Sequence, residues 1–466
     1  MRPIPWQVSA ALLALVVSMP LLADPAERLE ADLRGLFSTP DAVTIGKVER
    51  GVLRSRVSAE DIVFRGDDGE RLSIERYVVS GDYDRPDEVI LEGLRLDDGR
   101  SEPALVAMER IVLGAPSQAV FALDGSLAPG DVRIASLAID GTRVDLASAL
   151  ARDILAQTEL DGAQGYVTIA RLRGEGLSHT AIQRLEATDI AGMGESLEAF
   201  GAGAFTLAAL TLEGLQGLDD EATPRLDALV LSDLAIDAEG FVGSLARLRL
   251  DGDFGDGEGG LEVEALRADL ARMIALAPEE QRAQLRMASN VLTDGSGELR
   301  LDAALLGQWE AGETQSLITS ESRITVHEAL GLELDIELPV ALPEGVSPEA
   351  VLADVEVLEL ARLLGGEVTF TLAEQGLFGR MVTLGAAMEG VSEAQYLEQA
   401  RTQAEGFGML LGPELQQFLL GLVALSAGDA EVLEMRVTLP AESNLETYTD
   451  DPLALPGRLS LRVETR

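Results

Sequence analysis

Side chains able to carry covalent chemistry are scarce: two histidines, one lysine and no cysteine in 466 residues. His179, in Leu177-Ser178-His179-Thr180, has neither a second histidine nor a tightly spaced carboxylate beside it, so no metal ligand set or general base is assembled there. His327 falls opposite Ile324 and Val326 in an alternating run and keeps company with Arg323 and Thr325, the pattern of a solvated strand face. Lys47, in Lys47-Val48-Glu49-Arg50, sits in a charge pair that favours water, whereas a catalytic amine must be desolvated to lose its proton. Nucleophile-elbow, phosphate-loop and zinc-helix motifs are missing. With 80 carboxylates a glycosidase-type pair could assemble in space, but nothing in the spacing singles one out.

One acidic run has ligand chemistry: Asp251-Gly252-Asp253-Phe254-Gly255-Asp256-Gly257-Glu258-Gly259-Gly260. Carboxylates on a glycine-rich loop suit calcium, which takes about six to eight oxygens. Asp251, Asp253, Asp256 and Glu258 are the candidate ligands, with Glu262 at the twelfth place of an EF-hand count. The third acid comes one residue late, Asp256 occupies the place of the required glycine, and the segment before it reads as strand. A solvated acidic turn is the competing reading.

These residues sit in a chain that is 47% apolar, 4% aromatic and 25% charged, with 36 basic against 80 acidic residues and a formal charge of −44. Nucleic-acid affinity rests on Lys and Arg neutralising phosphates, so that partner is excluded. Arg2, an apolar stretch from Val8 to Leu22 broken by Pro20, and Leu21-Leu22-Ala23 before Asp24 predict a secretory signal peptide over residues 1–23. The apolar stretch falls short of the ~20 residues a spanning helix needs, and no later stretch reaches that length. The expectation is a periplasmic chain with no transmembrane span after leader cleavage. Without cysteine, stability must come from burial instead of disulfides. The acidic excess suits saline surroundings, because salt screens the self-repulsion of carboxylates.

Asp24-Pro25-Ala26-Glu27 is a helix start, and Leu29, Leu33, Leu36 and Phe37 give that helix one apolar face ending near Thr39-Pro40. From Val43 the period becomes two, with turns at Asp68-Gly69 and Asp97-Asp98-Gly99. A unit of the form apolar-x-x-apolar-x-apolar then recurs: Ile134, Leu137, Ile139; Ile169, Leu172; Leu207, Leu210, Leu212; Leu226, Leu229, Leu231; Leu245, Leu248, Leu250. Its uneven upstream spacing and the missing Asn or Cys argue against a leucine-rich repeat and for antiparallel strands. Asp140-Gly141, Glu213-Gly214 and Asp251-Gly252 read as their turns. Helices are expected over Leu146–Thr158 and over Leu266–Leu292 with a break at Pro278. Strands return beyond Gly297, including Asp354–Leu363 and Glu367–Leu372 joined by Gly365-Gly366. Ser392-Glu393-Ala394-Gln395 is a capping box with Val391 and Tyr396 as a staple, a further helix runs from Gly412-Pro413 to Gly428, and strands over 430–439 and 458–464 close the chain.

The sum is an α+β, β-dominated fold: long antiparallel meandering sheet with covering helices and a helical C-terminal block. Segments 24–128 (helix plus strands), 129–296 (Leu-rich strands with two helical insertions) and 297–466 (strands plus helical block) are its expected divisions. The exported entry, the leucine-rich strands and the block from Gly376-Leu377 through Phe407, with Phe418 before a strand ending in Leu439-Pro440, resemble the β-rich envelope proteins of Gram-negative bacteria grouped as AsmA-like. That resemblance implies a periplasmic protein of envelope maintenance or lipid handling, and the short leader departs from the membrane-anchored members. Strands whose apolar face is Leu, Ile, Val or Ala must bury it against a covering layer or against acyl chains. The expected function is therefore non-enzymatic: binding of lipid or of an envelope protein through an extended amphipathic sheet. The alternative is a calcium- or salt-adapted acidic surface protein without lipid.

Overall fold

The alternating pattern becomes strands, and nearly every strand pairs with its sequence neighbour. A computed structural model describes residues 24–36, 42–51, 55–66, 69–100, 102–121, 132–151, 164–195, 201–218, 225–252, 258–312, 315–342, 361–444 and 459–466. The chain is β-dominated and antiparallel, as its period of two predicts, and divides into two compact units: 1–162 with 168–183, and 163–167 with 184–466. The leader residues 1–23 lie outside the described residues.

In the first unit, α1 (Pro25–Arg34) starts where Asp24 accepts a hydrogen bond from the Ala26 N–H and stops at Gly35, before the expected Thr39-Pro40. Its Leu29 and Leu33 are fully buried against β1 (Val43–Thr44), β2 (Lys47–Arg50), β3 (Arg56–Arg65), β4 (Arg71–Asp82) and β5 (Arg85–Asp97). β6 (Val106–Pro116) and β7 (Arg133–Asp145) continue the meander. Of the helix expected at Leu146–Thr158, Leu146–Ser148 form a turn instead and Ala149–Ala151 are helical; the part beyond Ala151 lies outside the described residues. β8 (Gly165–Ser178) and β9 (Ala181–Gly194) follow as a hairpin whose tip holds His179.

The second unit continues with β10 (Gly203–Gln216), β11 (Ala228–Ala238), β12 (Val242–Asp251), β13 (Glu258–Asp269), β14 (Glu298–Ala311), β15 (Ser316–Val326), β16 (Leu330–Ala341), β17 (Arg362–Glu374), β18 (Val432–Asn444) and β19 (Ser460–Thr465), each antiparallel to the next. Between β13 and β14 stand α2 (Leu270–Leu276) and α3 (Glu279–Leu292), broken at Pro278 as expected. Leu266, however, belongs to β13, where it pairs with Leu301. The last leucine of the strand, Leu266, and Leu270 are four apart, so a helical period extends falsely across Asp269, whose carboxylate caps α2 through the Ala271 and Arg272 N–H groups. Between β17 and β18 stand α4 (Leu377–Glu389), α5 (Glu393–Leu411) and α6 (Pro413–Ala427), with the Ser392/Gln395 capping box formed and Gly428 left-handed at the last stop. Gly365-Gly366 joins no pair of strands: β17 runs through both, at a register shift. Residues 354–360 of the expected earlier strand lie outside the described residues.

Two of the expected turns are also strand interiors. Gly141 lies within β7 and Gly214 within β10, both at positive φ. In the first unit Asp61, Gly93 and Gly141 place one left-handed residue in each of β3, β5 and β7. At that level same-face residues step by three in every strand: Ala59 to Ile62, Tyr77 to Ile74, Leu91 to Leu94, Ile111 to Met108, Ile139 to Thr142. In the second unit Asp189, Asp233 and Ala265 do the same in β9, β11 and β13, and Leu207 to Leu210, Leu234 to Leu231 and Leu245 to Leu248 step by three beside Asp233. At Asp61, Gly93, Gly141 and Asp233 the register continues without a shift, both paired strands stepping equally; at Ala265 β13 carries one residue more than its partner β14, a bulge. The recurrent apolar-x-x-apolar spacing thus goes with left-handed residues inside paired strands, not with a solenoid repeat.

Candidate functional site

Pairing of these strands puts aliphatic residues in register. In the second unit Leu210, Leu231, Leu248, Val263, Ala303, Ile324, Leu332, Leu372 and Leu433 lie directly opposite one another in succession, one per strand from β10 to β18. A parallel row runs Leu212, Leu229, Leu250, Leu261, Leu305, Ser322, Leu334, Phe370, Met435, Val463. The C-terminal end of the first row is closed: Leu372 and Leu433 are buried with Leu425 of α6. From Leu210 to Leu332 the row is only partly buried, and in the second row Leu250 and Leu305 are 39% and 40% exposed.

Each unit, taken by itself, also has an ionised face. In the first unit Glu60, Arg76, Glu92, Arg110 and Asp140 follow one another in register with alternating sign. Cross-strand pairs repeat this in the second unit: Arg184 with Glu213 at 2.8 Å, Arg323 with Glu333 at 2.8 Å and Arg436 with Glu367 at 3.3 Å. Opposite charges facing each other across strands stabilise the pairing modestly and keep that face in water. A sheet so divided offers hydrocarbon on one side and charge on the other.

An open recess of about 740 Å³ lies where β10–β13 end and α2 begins. Phe205, Ile236, Val242, Ala268 and Ala271 line it, together with Arg267. In the first unit, Tyr83 donates to Asp32 Oδ2 at 2.7 Å beneath the Arg28 guanidinium, which lies 4.6 Å from the Tyr83 ring centre and pairs with Asp84. Burial and the Asp32 carboxylate push the Tyr83 hydroxyl well above its usual range, so it acts as a donor and not as a base.

Each residue singled out for chemistry has its own local setting. Lys47 pairs with Glu49, which raises its pKa, the reverse of what a catalytic amine needs. His179 occupies a hairpin tip. His327 lies in the β15–β16 turn, where its Nε2 meets Asp302 Oδ2 at 2.5 Å. Asp302 also accepts the Ala265 N–H at 2.6 Å, and this bond first and the His327 bond second hold its carboxyl below the ordinary range. The pair fastens the bulge at Ala265 to its neighbouring strand. Of the calcium candidates, Asp251 accepts from Arg249 at 2.6 Å and Glu258 accepts from Gln308 at 3.4 Å. Both line a recess of about 200 Å³ with Glu262 and Arg249, whose guanidinium already supplies the positive charge. Asp253 and Asp256 lie outside the described residues. Among the described residues no group of three or more acidic, His or Cys side chains is arranged to hold a metal, and no helix is long and apolar enough to cross a membrane.

Sequence reasoning found the amphipathic strands but missed the in-register rows, whose signal is the step of three. No protein-family model matches the chain, and no curated protein matches it.

Proposed function

We propose that this chain is a non-enzymatic carrier of lipid acyl chains, exported to the periplasm by residues 1–23 and serving the cell envelope. The observation that supports the reading is the aliphatic row of the second unit, continuous over nine strands and partly exposed over the seven from β10 to β16. Six interstrand intervals of about 4.8 Å give this stretch about 29 Å. That length exceeds one extended acyl chain, since the ~30 Å hydrocarbon thickness of a bilayer holds two chains end to end. Each methylene moved from water onto the row contributes about 0.8 kcal/mol.

A protein partner is the weaker reading. Binding energy between proteins concentrates in Trp, Tyr and Arg anchors, whereas the first row carries no aromatic residue and the second only Phe370. Hydrocarbon without directional groups suits a ligand that needs none. Titration with a fluorescent fatty acid tests the reading. Saturable binding that Leu231→Glu and Leu248→Glu abolish, while Arg184→Glu on the ionised face does not, is the expected result. Binding insensitive to both leucine changes contradicts it.

A further inference from the structure

The helices α2 and α3 lack the burial that normally sustains a helix. An isolated helix shorter than about 12–15 residues is marginal in water, and most helical stability comes from packing an apolar face. Along α3 only Ser289 is buried, and along α2 only Ile274. Met273, Leu276, Leu285 and Met287 stand exposed on them, at 42%, 54%, 39% and 40%. Met381 and Met388, seven apart on one face of α4, add 50% and 72%. Helix α4 meets α3 through Arg380, which donates to the Val291 carbonyl at 2.6 Å.

Charge singles out the same place. In a chain with 36 basic and 80 acidic residues, 270–292 carries Arg272, Arg282 and Arg286 against Glu279 and Glu280, with Asp269 capping α2 and Asp294 paired to Arg380 at its ends. None of the three arginines makes an ion pair among the described residues; Arg272 and Arg282 donate to backbone carbonyls. Arg282 and Arg286, four apart, form a stripe with Leu285 and Met287 on either side. Exposed arginines without an acidic partner draw a helix to an anionic membrane surface, and exposed apolar side chains beside them add contact there. Carboxylates farther away than a Debye length, about 10 Å at 0.1 M salt, are screened from that surface.

We propose that α2, α3 and the outer face of α4 dock on the surface of an anionic phospholipid bilayer. The proposal does not depend on acyl chains binding the sheet. Flotation of the full chain, purified without detergent, is the test, using vesicles of phosphatidylglycerol with phosphatidylethanolamine and, separately, of phosphatidylcholine. The protein is expected to float with the anionic vesicles and to remain unbound with the neutral ones. The triple change Arg272→Gln, Arg282→Gln, Arg286→Gln should weaken partitioning roughly a hundredfold, at about fivefold per arginine. Met273→Gln with Leu276→Gln and Met287→Gln should weaken it comparably; these side chains are exposed, so melting temperature should not change. Failure to float with anionic vesicles, flotation unaffected by both variants, or equal flotation with neutral vesicles overturns the proposal. Sedimentation velocity supplies the remaining outcome: self-association abolished by the same apolar changes, without vesicle binding, would make this surface an interface between copies and likewise overturn it. Fatty-acid binding measured on these variants distinguishes this failure from failure of the acyl-carrier reading.

Discussion

At the scale of single residues, the left-handed positions carry the clearest consequences. Gly141 has φ 66°, and a Cβ built on it would stand 2.4 Å from the Glu109 carboxyl carbon. A left-handed conformation costs an L-residue roughly 1–2 kcal/mol, so Gly141→Ala should destabilise by at least that amount and lower the denaturation midpoint without changing its slope. Asp302 links residue chemistry to pH. Its carboxyl is held below the ordinary value, so its contribution is present above the unfolded-state pKa of about 3.9 and is lost as pH falls through the lowered folded value. Wild type should therefore melt higher than Asp302→Asn at neutral pH, and the two should converge as pH falls through the lowered folded value. A gap independent of pH would show that the Ala265 bulge is held by something else.

At the scale of elements, burial and exposure of the same leucine row make a contrast that can be measured. Leu433 is fully buried under α6, so Leu433→Ala should cost about 2–5 kcal/mol. Leu248, in the same row but partly exposed, should cost markedly less, because a side chain already in contact with water leaves no comparable cavity when it is truncated. Equal costs measured by denaturant titration would mean that the row is covered along its whole length. The sequence shows the alternation, the capping box, both proline-marked helix starts and the paired-strand reading of the leucine units. It conceals the left-handed glycines inside strands, because Asp140-Gly141 and Glu213-Gly214 carry the same dipeptide chemistry in a strand as in a turn, and only the partner strand decides between them. Asp269 ends a strand and caps a helix at once, which lets a false period run back to Leu266. The partial exposure of the row is tertiary, and no local pattern encodes it.

At the scale of the whole molecule, 80 acidic residues repel one another while arginine pairs offset only some of that cost. Raising salt from 0.1 M to 1 M shortens the Debye length from about 10 Å to about 3 Å, so the melting temperature should rise with sodium chloride. A fall would mean that the screened arginine–carboxylate pairs outweigh the repulsion. In the second unit the charge is also sorted by face: opposite the aliphatic row stand the cross-strand pairs Arg184–Glu213, Arg323–Glu333 and Arg436–Glu367. The most direct measurement is organic extraction and mass spectrometry of the full chain, exported in a Gram-negative host and purified without detergent beside an equally acidic control protein. The account predicts phospholipid or fatty acid at stoichiometric level, absent from the control and lost from Leu231→Glu. Protein that is folded, monodisperse and free of lipid would contradict it.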